Sequence, residues 1–431
     1  MRIRKVLVVN TIHIPSYFNA GHHLPIFYVG EYIRKNNKNV NVECKDLGVL
    51  NCTWKDFSHI LYQGQYDLIS IMLDFDTADN IERMIYYIKS ILPKSLILLF
   101  GRMCKLNPNI FRKYEIDGLV VDGDDEYALN SFVNYKNGGN AQPLGCLYRE
   151  NGEWHESIKG YFLKPEEWVF PRIAEIPYSS YSQLYKDDGN KFCGIPNKKE
   201  LVVNVSRGCP INCKYCDVVK VQGIKDRRIS AKKLYNYICN NFYKYEFDYV
   251  SMFSAIFTLD NNWVRQFTKL MKKEKIPWKC VTTIEHITSE LLVEMAEANC
   301  IRISIGVENI TSNNNELPSI KNNTKEKIIE INRICKEYNI ELNCFVMIGI
   351  PNISCRENMD TIKILEELDV RIRPTVYTRY DIMANEKDVS KLYKYNRQIL
   401  DSQVWDNNEM NTLYEVIHGS RLKNTEIYKK F

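Results

Sequence analysis

Apolar and polar positions fall into two alternating rhythms along the chain. Lys5–Val9 is a short β-branched run, Ile26–Lys35 repeats its apolar positions with a helical period, and Asn39–Lys45 reads as a second strand. Tyr66–Leu73 is a third apolar run, followed by a helical stretch from Thr77 to Leu92. Ser95–Phe100, closed by Gly101, is a fourth strand, and Gly118–Val121, closed by Gly123, a fifth. Strands separated by helices of this length predict a parallel sheet with helices on both faces. Ligands of such sheets bind beyond the carboxyl ends of the strands. Those ends are Asn10 to Gly21, Leu73 to Asp76, Gly101–Arg102 and Gly123–Asp125.

The rhythm breaks after residue 135. Polar, turn-rich pieces such as NYKNGGNAQP and RENGEWHES lead into KPEEWVFPRIAEIPYSSY, which reads as a connector over 136–198. Strands then resume at Leu201–Ser206, Tyr249–Phe253, Lys279–Thr283, Ile301–Gly306, Leu342–Ile348 and Ile372–Tyr377, with helical patterns such as SAKKLYNYICNNFYKY between them. Six βα repeats fall short of the eight of a closed barrel and predict a partial (β/α)6 TIM barrel over 199–383. Residues 384–431 are polar with sparse aromatics and read as a small helical cap. The expected fold class is α/β, with an N-terminal sheet domain at 1–135 and the partial barrel behind it.

Composition narrows the function classes. Hydrophobic residues make up 45% of the 431, which excludes a disordered chain. The 58 basic residues are nearly balanced by 53 acidic ones, so nothing marks a dedicated nucleic-acid partner. The N-terminal apolar run is too short for a signal or a membrane span, and no later segment approaches one. A cytoplasmic, reducing location is expected, where the 14 cysteines stay out of disulfides. Most are scattered among apolar neighbours and read as small buried hydrophobes.

One group is clustered. SRGCPINCKYC places Cys209, Cys213 and Cys216 at i, i+4 and i+7 directly after a barrel strand. Three thiolates leave a zinc ion one ligand short unless a distant residue supplies the fourth. On a four-iron cluster the same three leave one iron open to chelate a small molecule. The stretch resembles the radical S-adenosylmethionine (SAM) superfamily, whose motif is C-x3-C-x2-C with an aromatic before the last cysteine; Tyr215 fills that position. The resemblance implies a [4Fe–4S] cluster whose open iron binds SAM, an electron donor such as flavodoxin or ferredoxin, and cleavage of SAM to a 5′-deoxyadenosyl radical.

Other landmarks map onto the chain. Ile305-Gly306-Val307-Glu308 resembles the family's fourth-strand segment, in which Glu308 would accept from ribose hydroxyls; capping a helix is the alternative. Val346-Met347-Ile348-Gly349-Ile350-Pro351 resembles the element that packs on adenine, although a tight turn also accounts for Gly349 and Pro351. The glycine-rich element expected after the second strand is missing; Ser251 to Thr258 carries neither glycine nor acid, and Ser254 is the SAM contact left there. Arg227-Arg228-x-Ser230 resembles a basic pair of one branch, with a solvated charge run as the alternative.

Residues 1–135 resemble the Rossmann-like cobalamin-binding domain that precedes the barrel in that branch. VLVVN, YDLISIMLDF, LILLFGR and IDGLVVDGDDE are the matching pieces. Leu73, Asp74 and Phe75 would lie under the corrin ring, with Gly101, Arg102 and Gly123 around it, the two glycines allowing close backbone approach. A D-x-H-x-x-G motif is absent, as is usual in the branch; His13, His22 and His23 lie in the first loop, where a structural role is the alternative to a ligand role. The resemblance implies a cobalamin-dependent C-methyltransferase acting on an unactivated carbon of a small molecule or peptide. A radical SAM enzyme that rearranges, cyclises or epimerises is one alternative, and a non-catalytic iron–sulfur or cobalamin sensor another. Arg371, Arg373, Tyr377, Arg379 and Tyr380 are candidate substrate contacts at the barrel mouth.

Overall fold

The computed structural model describes all residues except 1, 14–22, 76, 157, 185–193, 196, 311–324, 396–399, 401–403 and 424–431. The chain begins β1 (Lys5–Asn10), α1 (Pro25–Asn36), β2 (Asn41–Lys45), α2 (Trp54–Gly64), β3 (Leu68–Met72), α3 (Ile81–Ile91) and β4 (Leu96–Phe100). It continues α4 (Arg102–Leu106), β5 (Gly118–Val120), α5 (Asp125–Lys136), β6 (Cys146–Glu150), β7 (Glu153–His155) and α6 (Tyr178–Leu184). Among the described residues these strands form one sheet in the order β2-β1-β3-β4-β5-β6-β7. The first five are parallel, and β6 and β7 add antiparallel at the edge. The β3 side chains are all buried, as strands covered on both faces require. The order 2-1-3-4-5 reverses between β1 and β3, which is where doubly wound sheets bind ligands.

The second half runs β8 (Glu200–Asn204), β9 (Ser206–Arg207), α7 (Val218–Gln222), β10 (Arg227–Arg228), α8 (Ala231–Asn241), β11 (Tyr249–Phe253), α9 (Asn261–Met271), β12 (Trp278–Thr282) and α10 (Ser289–Glu297). Then follow β13 (Cys300–Glu308), α11 (Lys325–Glu337), β14 (Glu341–Ile348), α12 (Cys355–Glu367), β15 (Arg371–Val376), α13 (Tyr380–Met383) and α14 (Asn407–Lys423). The six strands β15-β14-β13-β12-β11-β8 are parallel and open at both edges, the partial barrel that the βα count predicts. β9 and β10 form a separate antiparallel pair. Alternate residues of β13 and β14 (Ile303, Ile305, Leu342, Cys344, Val346) are buried hydrophobics. Their neighbours Arg302, Ser304, Glu341 and Asn343 carry polar groups of the opposite face.

Two compact units divide the chain otherwise than the sequence suggests. One comprises 1–181, 217–223 and 379–397; the other comprises 182–216, 224–378 and 398–431. The expected connector 136–198 is therefore mostly part of the first unit, where β6 and β7 extend the sheet. The expected cap is likewise split, because Met383, Val389 and Leu392 complete the core under β1, β3 and β4. No helix among the described residues is long and apolar enough to cross a membrane.

Candidate functional site

Cys209, Cys213 and Cys216 lie on the loop that leaves β8 and β9, at the carboxyl end of the barrel strands, and all three are half-buried. The loop turns at Gly208 (φ 87°) and Asn212 (φ 54°), residue types that tolerate the left-handed region. The Cys216 amide donates to the Cys213 carbonyl at 3.1 Å and closes the second turn. No three His, Cys, Asp or Glu side chains among the described residues gather around the position of a single ion. A mononuclear site needs such convergence, whereas a cubane takes each thiolate on a different iron. The donor set, three thiols on one loop, fits the cubane.

Tyr215 and Glu308 meet over this loop. The Tyr215 hydroxyl donates to Glu308 Oε1 at 3.3 Å. Burial, the Glu308 carboxylate and the Cys213 thiol together push the phenol far above its ordinary pKa, so it stays protonated. Glu308 is 6% exposed and sits at φ 58° where the β13–β14 register slips. A buried glutamate held in the left-handed region at a bulge is strained, and such strain collects at functional sites. β13 ends on it, and it caps no helix among the described residues. Nearby, Ile350 and Ile353 form a small buried apolar cluster faced by Tyr215, Met347 and Tyr377. Gly349 (φ 83°) begins the turn through Ile350 and Pro351. A Cβ on it would meet Leu400 and Trp405 at an ordinary 3.7 Å, so conformation rather than space requires the glycine. Ser254 follows β11 with a buried hydroxyl that has no hydrogen-bond partner among the described residues.

Three of the candidate substrate contacts, Arg371, Arg379 and Tyr380, lie elsewhere, Tyr380 opening α13 in the first unit. Arg371 opens β15 at the end opposite the cluster loop, buried with Arg302 around Glu341. Burial raises that carboxylate's pKa, but the two guanidiniums outweigh it and the net shift is down. Arg379 is an exposed partner of Asp381 in the first unit. Arg228 is no solvated charge: it donates to the carbonyls of Phe257 (2.7 Å) and Ile256 (2.9 Å).

In the first unit, Leu73, Asp74 and Phe75 follow β3 and are buried. The close approaches that Gly101 and Gly123 allow are to protein backbone: a Cβ on Gly101 would stand 2.8 Å from the Leu73 carbonyl oxygen, and one on Gly123 2.6 Å from the Tyr161 nitrogen. Fold packing thus accounts for both glycines. Arg102 reaches Asp74 at 3.6 Å and Asp217 at 3.1 Å, with its guanidinium over the Phe75 ring. Sequence reasoning missed Lys105, a buried lysine whose Nζ meets the Gly123 carbonyl (2.9 Å), the Val221 carbonyl (3.2 Å) and Asp125 (2.9 Å). It also missed Asp46, fully buried after β2, which holds His23 Nδ1 at 2.8 Å and accepts from Asn10 at 2.7 Å and Tyr181 at 2.5 Å. His22 lies outside the described residues. Nothing in local sequence marks these groups, because their partners come from distant segments.

The sequence profile of the radical SAM superfamily matches residues 203–365, which span the cluster loop and the strands through β14. A protein of Pyrococcus horikoshii named as an uncharacterized methyltransferase is 23% identical over 387 residues, covering 86% of this chain and 79% of its own. Two solved structures of the radical SAM methyltransferase TsrM from Kitasatospora setae share the fold. One, with tryptophan substrate and a SAM analog bound, superposes with TM-score 0.65 at 14% identity over 87% of this chain and 73% of that one. The other, with cobalamin and a [4Fe–4S] cluster bound, gives TM-score 0.67 at 13% identity over 87% and 72%.

Proposed function

We propose that the protein is a cobalamin-dependent radical SAM C-methyltransferase that acts on an unactivated carbon of a small molecule or peptide. The observation that carries the reading is the cluster loop: three half-buried thiols at the carboxyl end of a six-stranded partial barrel, with a buried, strained glutamate hydrogen-bonded to the tyrosine between the second and third of them. When bound, the cluster supplies the electron that cleaves SAM, and the corrinoid relays a methyl group.

The chain's residues take the following parts. Cys209, Cys213 and Cys216 each hold one iron and leave the fourth open. Glu308 keeps its carboxylate as acceptor for the ribose hydroxyls, and Tyr215, held protonated, fixes that carboxylate by donating to it. Met347 and Ile350 flank the adenine on the turn that Gly349 and Pro351 make. Ser254 offers its hydroxyl to SAM. In the first unit Leu73, Asp74, Phe75, Gly101, Arg102 and Gly123 form the carboxyl edge of the sheet, where the corrinoid is held. That edge carries backbone, an aromatic ring and an arginine, a surface suited to a large amphipathic ring rather than to a bare ion. An electron donor such as flavodoxin or ferredoxin serves in the cell.

The test is anaerobic reconstitution followed by SAM and dithionite. Formation of 5′-deoxyadenosine together with S-adenosylhomocysteine is expected; the absence of both overturns the reading. A corrinoid absorption spectrum in protein purified after growth with the vitamin is expected too. Deoxyadenosine without a bound corrinoid would instead favour rearrangement, cyclisation or epimerisation.

A further inference from the structure

At the amino end of the first sheet lies a cavity of about 580 Å³, the size of an ordinary small-molecule site. Arg2 and Arg4, on the lead into β1, line it together with Lys38 and Asn39, in the turn between α1 and β2. No acidic residue lines it. β1 runs six residues from here to Asn10, so about 20 Å separate the cavity from the carboxyl edge of the sheet.

Elsewhere in the first unit arginines are neutralised or covered. Arg34 meets Glu31 and Glu175, Arg102 meets Asp74 and Asp217, Arg112 meets Glu156, and Arg83 and Arg149 lie over Trp54 and Trp154. Arg2, Arg4 and Lys38 are exposed, and their side chains form no ion pair or hydrogen bond among the described residues. The backbone that carries them is held in place. Asn137 Oδ1 accepts from the Ile3 amide at 2.6 Å and its Nδ2 donates to the Ile3 carbonyl at 3.0 Å. Asp67 accepts from the Arg4 amide at 2.7 Å, and the Arg4 carbonyl accepts from the Asn41 amide at 2.8 Å. In the turn, the Val40 amide donates to the Asn37 carbonyl at 3.0 Å, and Asn37 Nδ2 donates to Asn130 Oδ1 at 2.6 Å. Ile3, between the two arginines, is buried, which turns Arg2 and Arg4 to one outward side. α1 ends beside the cavity at Asn36, and the negative end of its dipole amounts to about half a charge, against three full positive ones.

We propose that this cavity is a second ligand site, separate from the SAM and corrinoid positions, and that it takes a small molecule carrying two or more linked phosphates. A guanidinium holds two oxygens of one phosphate in its fork, and an ammonium adds a compact charge, so two arginines and a lysine match a chain of phosphates. Asn39, exposed beside them, offers a carboxamide to whatever the phosphates are attached to. Three cations gathered in a cavity, on a chain whose 58 basic and 53 acidic residues nearly balance, suit a small polyanion rather than a nucleic acid. Inorganic triphosphate and a nucleoside triphosphate share this chemistry.

Titration calorimetry on the reconstituted holoenzyme at low salt, with S-adenosylhomocysteine added to fill the SAM position, tests this with inorganic triphosphate, magnesium-free ATP and adenosine. Triphosphate and ATP should bind with Kd below about 0.1 mM, and adenosine should not bind. Equal Kd values for the first two assign recognition to the phosphates alone; a tighter ATP adds the nucleoside to the site. Arg2→Ala, Arg4→Ala and Lys38→Ala should each weaken triphosphate about fivefold, the loss of one charge-assisted contact at an exposed position. Lys55→Ala, which removes an exposed lysine of α2, should leave that Kd unchanged. Iron content, S-adenosylhomocysteine affinity and melting temperature should stay at the wild-type level in all four variants. Absence of triphosphate binding overturns the proposal. So does binding that the three cavity variants leave intact, an equal loss in the Lys55 variant, or adenosine binding as tightly as ATP. The triphosphate measurement reads the same whether or not the chain binds SAM, so its outcome is separate from that of the radical SAM reading.

Discussion

Asp46 is a carboxylate with no access to water, and it persists because every lone pair has a donor. Burial pushes its pKa up, but His23 beside it and hydrogen bonds from His23 and Tyr181 outweigh burial and hold it well below the usual carboxylate range. A folded pKa below the unfolded one means that the stabilisation is complete above about pH 4 and is lost as pH falls further. Asp46→Asn should therefore cost about 3–5 kcal/mol at pH 7, the effect of breaking a buried pair. The difference from wild type should shrink below pH 4, which urea titrations at pH 7 and pH 3 would read. Glu308 presents the opposite case, a residue whose backbone opposes the fold. Glu308→Gly relieves about 1 kcal/mol of left-handed strain and loses a hydrogen bond of about the same size. The melting temperature should stay unchanged while SAM binding weakens at least about tenfold. A large drop in melting temperature would make Glu308 a structural residue.

At the scale of elements, buried arginines near the barrel strands do different jobs according to depth. Arg302 and Arg371 straddle Glu341 where β13, β14 and β15 begin, far along the strands from the cluster loop. Arg371→Ala should cost about 3 kcal/mol in denaturant titration by stranding part of that buried charge, with the SAM Kd unmoved; a raised Kd at unchanged stability would return Arg371 to the mouth. Sequence pattern located all six barrel strands within a few residues, since runs such as Leu342–Ile348 are almost wholly apolar, with Leu342, Cys344, Val346 and Ile348 buried on one face. It also found the five parallel strands of the first sheet, whose buried runs stand out between helices. What it could not see were contacts that reach across the chain. Arg228 looks like half of a surface charge run until its guanidinium is found on the carbonyls of Ile256 and Phe257. The bulge that strains Glu308 arises from how β13 and β14 slip in register, and no local residue announces it. Gly101 and Gly123 were legible as special positions, yet their neighbours prove to be Leu73 and Tyr161.

For the whole molecule, chain order and structural order part company. The first unit takes in 217–223, which begins one residue after Cys216, and 379–397, which begins after β15. Charged contacts fasten the shorter insertion: Arg102 to Asp217, Lys105 to the Val221 carbonyl, and Lys220 to the Leu106 carbonyl at 3.2 Å. The longer one contributes Met383, Val389 and Leu392 to the core beneath β1, β3 and β4, and Asn107 donates to the Met383 carbonyl at 3.0 Å. A fragment ending at residue 198 keeps the whole sheet but lacks both pieces. Exposing the sites of three buried apolar side chains costs about 1.5–3 kcal/mol each. Lys105, 5% exposed, would in addition lose one of its three acceptors. The sum, about 5–12 kcal/mol, is comparable to the total stability of an ordinary domain, about 5–15 kcal/mol. The fragment should therefore bind a hydrophobic dye and show no cooperative melting transition, whereas the full chain melts cooperatively. A fragment that melts sharply, at the temperature of the full chain, would mean that the two later segments rest on a finished domain and do not complete it.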